Sequence, residues 1–206
     1  MSHRETMPAN KDILQITHTR DDACTVLSNK LISWVPSPPQ EYIVLCIGTD
    51  RSTGDSLGPL TGTFLSEINP QQLHVYGTLN KPVHAKNLST SIQQIKDRHK
   101  QPFIIAIDAC LGKQQSIGSI IAGKGPIKPG AALKKTLPLI GDVHLTGVVN
   151  IGGFMDFSVL QNTRLSIVVD MARKLVSTLH RFDMELYNNH YISTIIQKNP
   201  STTFHI

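Results

Sequence analysis

EYIVLCIGTDRSTGDSLGP, residues 41–59, decides how the chain is read. The run YIVLCI at 42–47 is apolar without interruption and bounded by turn residues, the pattern of a strand buried on both faces of a parallel sheet. The polar stretch GTDRSTGDSLG then brings two acids and three glycines to the end of that strand. Pro59 suits the first turn of a helix reaching about Glu67, where no backbone N–H is needed.

The same alternation recurs outward. LHVYG at 73–77 reads as a second strand, about 85–98 as a helix with Leu88, Ile92 and Ile95 on one face, and FIIAID at 103–108 as another buried strand. Upstream, Ala23, Val26, Leu27, Leu31 and Trp34 recur at helical spacing from Asp21, and VPSPPQ stops that helix. GSIIAG, GPIKPG and VHLTGVV carry short strand signals broken by glycine and proline, so extra strands, some antiparallel, are expected there. About Asn162 to Phe182 reads as the longest helix, with Val168, Ala172, Leu175, Leu179 and Phe182 as its core stripe. Strands alternating with helices imply an α/β sandwich of three layers around a mixed, mostly parallel sheet. The expected division is a polar N-terminal arm at 1–20, a single α/β domain at 21–185 and a partly irregular C-terminal extension at 186–206.

Composition narrows the functional classes. With 206 residues and 40% apolar content the chain can bury one good core. No run reaches the ~18 apolar residues of a membrane span, and the N-terminus lacks an apolar signal core, so a soluble cytoplasmic protein is expected, without a membrane role. The net charge of +5 is dispersed, and no basic cluster is interleaved with aromatics, which argues against nucleic acid as a partner. Cys24, Cys46 and Cys110 have no CxxC spacing and read as buried thiols.

In a parallel sheet the loops after the strands share one edge, where ligands collect. The strand at 42–47 delivers Asp50 and Asp55 there, and FIIAID delivers Asp108. If those strands are neighbours, Asp55 and Asp108 face one crevice, where two carboxylates can divide acid and base roles or share a divalent cation. The plain alternatives are that Asp55 caps the helix and that Asp50 pairs with Arg51. His84 in NKPVHAKN can reach the same rim as a third ligand or acid–base group, whereas His144 reads as a hydrogen-bonded strand residue. An anion nest is the remaining use of the glycines, but neither GK[ST] nor GxGxxG is present. No GxSxG elbow supports a serine triad, and Cys110 reads as a packed thiol before a nucleophile.

At GTDRSTGDSLGP, FIIAIDACLG, KGPIKPGAALKK and VVNIGG the chain resembles the YyaC family of sporulation proteins, from about residue 21 to 185. That family is similar to the spore germination protease and shares a fold with the hydrogenase maturation endopeptidases. The resemblance implies a phosphorylase/hydrolase-like core of the hydrogenase maturation protease type and a place in the sporulating cell or forespore. The germination protease carries one catalytic aspartate in a T-P-D-A-L-G-P motif and another in A-I-D-A. TGDSLGP gives Asp55 the first position, with Gly54 in place of proline, and AIDA gives Asp108 the second. In the hydrogenase enzymes the corresponding acids bind a metal with a histidine, but their GTHD-like signature is missing here and the resemblance assigns that role to neither His84 nor His144; Asp55, Asp108 and His84 are the metal set that the residues themselves offer. The chain is also shorter than the germination protease and has no clear counterpart of its propeptide.

The expectation is therefore an aspartate-dependent endopeptidase-like protein acting on a peptide or small spore protein through Asp55 and Asp108. The alternative is a sporulation factor, inactive or weak as a catalyst, that binds a peptide or protein in the same crevice.

Overall fold

The computed structural model describes residues 12–36, 41–129 and 137–198. Its centre is β2 (Tyr42–Cys46), in which every residue is buried. Such a strand must satisfy both edges and both faces, and it does. β3 (Leu73–Tyr76) and β4 (Phe103–Gly112) pair with it in parallel on either side. β6 (Val143–Ile151) extends the sheet parallel to β4, and β5 (Ser119–Lys124) turns back antiparallel to β6. With β1 (Ile13–Thr17) antiparallel on β5, the six strands run in the order β1-β5-β6-β4-β2-β3. The sheet is mixed and mostly parallel, as expected, and β5 supplies an antiparallel member from the glycine-rich middle.

Alternation along the strands divides the core in two. Val44, Cys46, Ile105, Ile107, Val143 and Leu145 face α1 (Ala23–Ile32), α2 (Leu57–Glu67) and α5 (Leu165–Lys198). Ile43, Leu45, Ile104 and Ala106 face the other way, where Leu88, Ile92 and Ile95 of α3 (Leu88–Arg98) cover them. Each buried leucine or isoleucine contributes about 1.5–3 kcal/mol, so these layers hold the molecule together. A short α4 (Asp156–Gln161) follows β6.

α2 approaches the sheet more closely than any side chain permits. A Cβ on Gly58 would stand 2.1 Å from the Ile47 carbonyl oxygen, and one on Gly62 would stand 2.0 Å from that of Gly77. The two glycines lie one turn apart on the inner face of α2, so the helix rests directly on strand-end backbone.

Three expectations change. Residues 13–17, expected within a polar arm, form β1, because Leu14 and Ile16 point inward at strand spacing and Ile16 is buried against β5. Residues 1–11 of that arm lie outside the described residues. α5 continues to Lys198 through most of the expected irregular extension, since no glycine or proline interrupts it before Pro200; residues 199–206 lie outside the description. β4 does not stop at Asp108. It runs on to Gly112, with an irregularity between Cys110 and Leu111, because long β6 offers a ladder partner beyond the end of β2.

Candidate functional site

The extra length of β4 sets where Asp108 stands. The β2–β4 ladder ends at Cys46 opposite Ile107, with one further hydrogen bond from the Ile47 N–H to the Ile107 carbonyl at 2.8 Å. Asp108 is the next residue, so it occupies the point where its neighbour strand has departed. It is 8% exposed, and its Oδ1 accepts the Ala109 N–H at 2.9 Å. Across β6 its register partner is Thr146.

The departing chain folds back at once. Gly48 donates to the Val83 carbonyl at 2.8 Å, and Thr49 donates to the Asp55 carbonyl at 3.1 Å. That closure brings the Asp55 oxygen within 2.0 Å of where a Cβ on Gly48 would stand, and the φ of Gly48 is +148°, so both space and conformation demand glycine there. Gly54–Ser56 then form one 3-10 turn, fastened by the Ser56 hydroxyl donating to the Thr53 carbonyl at 2.6 Å. The turn lies against β4 on one side and α4 on the other. Thr53 Oγ1 donates to the Gln161 carbonyl at 3.3 Å, and Asn150 Nδ2 reaches the Val159 carbonyl and Thr163 Oγ1, each at 3.3 Å.

Asp55 is therefore held, half-buried, in a turn gripped from both sides. It does not cap α2: Ser56 is the N-cap, and no side chain makes a capping hydrogen bond there. Burial raises its pKa from the usual aspartate value, while the nearby Ser52 hydroxyl offsets part of that rise. The Ser52 contact falls short of hydrogen-bond geometry, leaving a buried hydroxyl without a partner beside the acid.

The other candidates are spread around this point. Val83 bridges Ile47 in parallel, which sets His84 at the same end of the sheet but on the β3 side of β2. Its backbone N–H donates to Asn87 Oδ1 at 2.8 Å, and its Nδ1 is buried with no hydrogen-bond partner. Among the described residues, the ligand atoms of Asp55, Asp108 and His84 do not all lie within 4.8 Å of one another. As they stand the three do not gather around one ion, and no metal step is assigned to them. Asp50 and Arg51 form no ion pair with each other; the Arg51 N–H instead donates to Thr49 Oγ1 at 3.3 Å. Cys110 is a packed thiol: burial first, and then the charge of Asp108, push its pKa up to about 11 against an opposing hydrogen bond with Thr146. His144 Nδ1 lies 2.9 Å from the Gly125 carbonyl, as a structural strand histidine should. Within the KPG segment, Gly130 and residues 131–136 lie outside the description.

Two features escaped the sequence reading. Phe154, Met155 and Phe157 are 106%, 66% and 53% exposed, an apolar surface at the start of α4. Their signal was present in GGFMDF, apolar residues following a glycine pair beyond a strand. A groove of about 1080 Å³ also runs beside edge strand β3 and takes in His84 at one end. No motif announces it: its lining is drawn from the single stretch between Ser66 and His99, where the end of α2, edge strand β3 and α3 come together.

Comparison with known proteins agrees with this architecture. A solved structure of the [NiFe] hydrogenase maturation protease HycI from Thermococcus kodakarensis KOD1 superposes with a TM-score of 0.51 at 17% identity, covering 77% of this chain and 99% of that one. It establishes a shared fold, that of the hydrogenase maturation proteases. A Hydrogenase 3 maturation protease matches with a TM-score of 0.42 at 17% identity, over 69% of this chain and 91% of that one. An uncharacterized protein of Bacillus subtilis (strain 168), YyaC, is 52% identical over 159 residues, which is 77% of this chain and 76% of that protein. The family described as Protein of unknown function (DUF1256) matches residues 15–178. That match takes in β2, the 3-10 turn with Asp55 and β4 with Asp108: the chain belongs to the DUF1256 family, with YyaC as a close relative.

Proposed function

We propose that this protein is a sporulation-associated, endopeptidase-like hydrolase that uses Asp55 and Asp108 as a paired-carboxylate site. The observation that carries the reading is the setting of Asp55: half-buried, not used as a cap, its acidity weakened by burial, and held against the strand that bears buried Asp108. A carboxyl whose pKa is raised by burial suits the general acid, and a second carboxyl on the adjoining strand suits the base.

Asp55 is assigned the acid role. Asp108, whose Oδ1 receives a backbone N–H, is assigned the base role. Water adds to the peptide carbonyl carbon as its proton passes to Asp108, while Asp55 protonates the carbonyl oxygen. The resulting diol collapses when Asp108 returns its proton to the leaving nitrogen and Asp55 recovers its own from a hydroxyl. The exposed Phe154, Met155 and Phe157 support a peptide with apolar side chains as substrate, and the fold shared with HycI is in keeping with peptidase chemistry. The sporulating cell or forespore as its place, and a small spore protein as substrate, rest on the TGDSLGP and AIDA resemblance.

The test is incubation of the purified chain with small spore proteins and a peptide library across pH, reading new termini by mass spectrometry. Cleavage lost in both Asp55→Asn and Asp108→Asn supports the mechanism; cleavage unchanged in both removes it. A second reading, a peptide-binding factor without turnover, is favoured by the size of the β3 groove and the exposed apolar surface at the start of α4. It gains if the native chain cleaves nothing yet binds peptide saturably.

A further inference from the structure

At the opposite end of the parallel strands three segments distant in sequence converge. Glu41 stands one residue before β2, His74 pairs with Ile43 from within β3, and His99 follows the last turn of α3. All three offer ligand atoms within 4.8 Å of one another. We propose that Glu41, His74 and His99 form a binding site for a divalent transition metal ion of the zinc class, at the foot of the groove beside β3.

His99 is the anchor. Its side chain is only 10% exposed, yet its Nδ1 is buried with no hydrogen-bond partner. Glu41 Oε2 lies 3.4 Å away, too long and misaligned for a charge-assisted hydrogen bond, which closes to about 2.7–2.9 Å. Two ligands bound about 2.0–2.1 Å from a tetrahedral zinc stand about 3.4 Å apart, so the spacing suits two donors to one ion better than a bond between them. The outer contacts point the same way. Tyr76 Oη is 2.8 Å from His99 Nε2, and an Nε2–H donated to it leaves the Nδ1 lone pair facing Glu41. The Lys100 N–H donates to Glu41 Oε2 at 2.7 Å and fixes that carboxylate. Metal-binding histidines and carboxylates are oriented by such partners.

His74 completes the set. Its ring lies 4.7 Å from that of His99, centroid to centroid and tilted by 44°. Two imidazolium ions so placed repel, whereas two neutral imidazoles can share a cation. One carboxylate and two imidazoles suit zinc and its neighbours rather than magnesium or calcium, which prefer oxygen donors throughout. Three protein ligands leave a fourth position, and both histidines line the groove, so water or a groove-bound ligand can reach it.

The experiment uses the full chain, untagged and stripped of metal, titrated with ZnCl₂ by calorimetry and with CoCl₂ by visible absorption. One equivalent should bind, with the cobalt bands of a four-coordinate site. His74→Ala and Glu41→Gln should each weaken binding by at least about tenfold, as should Tyr76→Phe through the orientation of His99. His74 is exposed, so His74→Ala should unfold like the native chain in chelator and separates lost ligation from lost fold. Asp55→Asn and Asp108→Asn should bind zinc as the native chain does, whatever their effect on cleavage. No stoichiometric binding, binding unchanged in His74→Ala or Glu41→Gln, or binding abolished by the two aspartate variants would each overturn the proposal.

Discussion

The two ends of the parallel strands solve the placement of chemistry differently. At the carboxyl ends, Asp55 and Asp108 are placed by backbone: glycines bring α2 onto the strand ends, a loop closes on itself, and burial raises the pKa of Asp55. At the amino ends, Glu41, His74 and His99 are collected by side chains, with hydrogen bonds from Tyr76 and Lys100 setting their directions. The first arrangement tunes an acid but tolerates little change around it. The second leaves Glu41 and His74 open to solvent, where each can be exchanged with little cost to the fold, around a His99 that is nearly buried.

The largest expected effect falls on the first end. If the proposed mechanism holds, Asp55→Asn or Asp108→Asn should lower turnover by about 10²–10⁴-fold while the circular dichroism spectrum and cooperative unfolding persist. Comparable loss from His74→Ala would break the contrast by tying catalysis to the other end.

Gly58→Ala comes next. Alanine is the better helix former by about 1 kcal/mol, so any loss must come from the Cβ meeting Ile47 backbone at 2.1 Å. A net loss of about 3 kcal/mol is expected in urea unfolding, at the upper part of the range for overpacked sites. A neutral result would show that α2 can lift off the sheet, and that Asp55 is held less firmly than its contacts imply.

Asp183→Ala probes the foot. This buried carboxylate on α5 accepts the Gln71 and Gln72 N–H groups at 2.8 and 2.7 Å, fixing the turn that leads into β3 and His74. Leaving two N–H groups without it should cost about 2 kcal/mol in chemical denaturation. It should also weaken zinc binding while leaving peptide cleavage nearly intact.

The smallest effect is the most diagnostic for Asp55. Its pKa is raised in the folded chain, so ionisation opposes folding at neutral pH. The support it gives is present below the unfolded value of about 3.9 and is lost as pH rises through the folded value. Asp55→Asn should therefore melt slightly higher than the native chain at pH 7, with the difference fading as pH falls toward 4. An Asn variant less stable at pH 7 would mean that the charged form makes structural contacts.

Much of this was legible because it rests on local pattern. β2, β3 and α3 follow from apolar runs and helical spacing, and the placing of Asp55 and Asp108 at one end of the sheet follows from the strand before TGDSLGP and from FIIAID. β1 was hidden because its inward residues, Leu14 and Ile16, are too few to stand out in a polar segment; only β5 makes them a strand. The length of β4 was hidden for a related reason. Ala109 to Gly112 carry no strong strand preference, and their ladder exists because β6 lies alongside.

By itself, then, the sequence determined the α/β class, the order of the central elements and the two aspartates as the residues to watch, since each depends on short-range periodicity or on a motif at a strand end. Only the tertiary structure decided that Asp55 is a gripped, half-buried acid instead of a helix cap, that His84 stands apart on the β3 side, and that Glu41, His74 and His99 meet. Those facts depend on which strand lies beside which and how closely a helix can approach, and such long-range contacts leave no spacing in the chain to read.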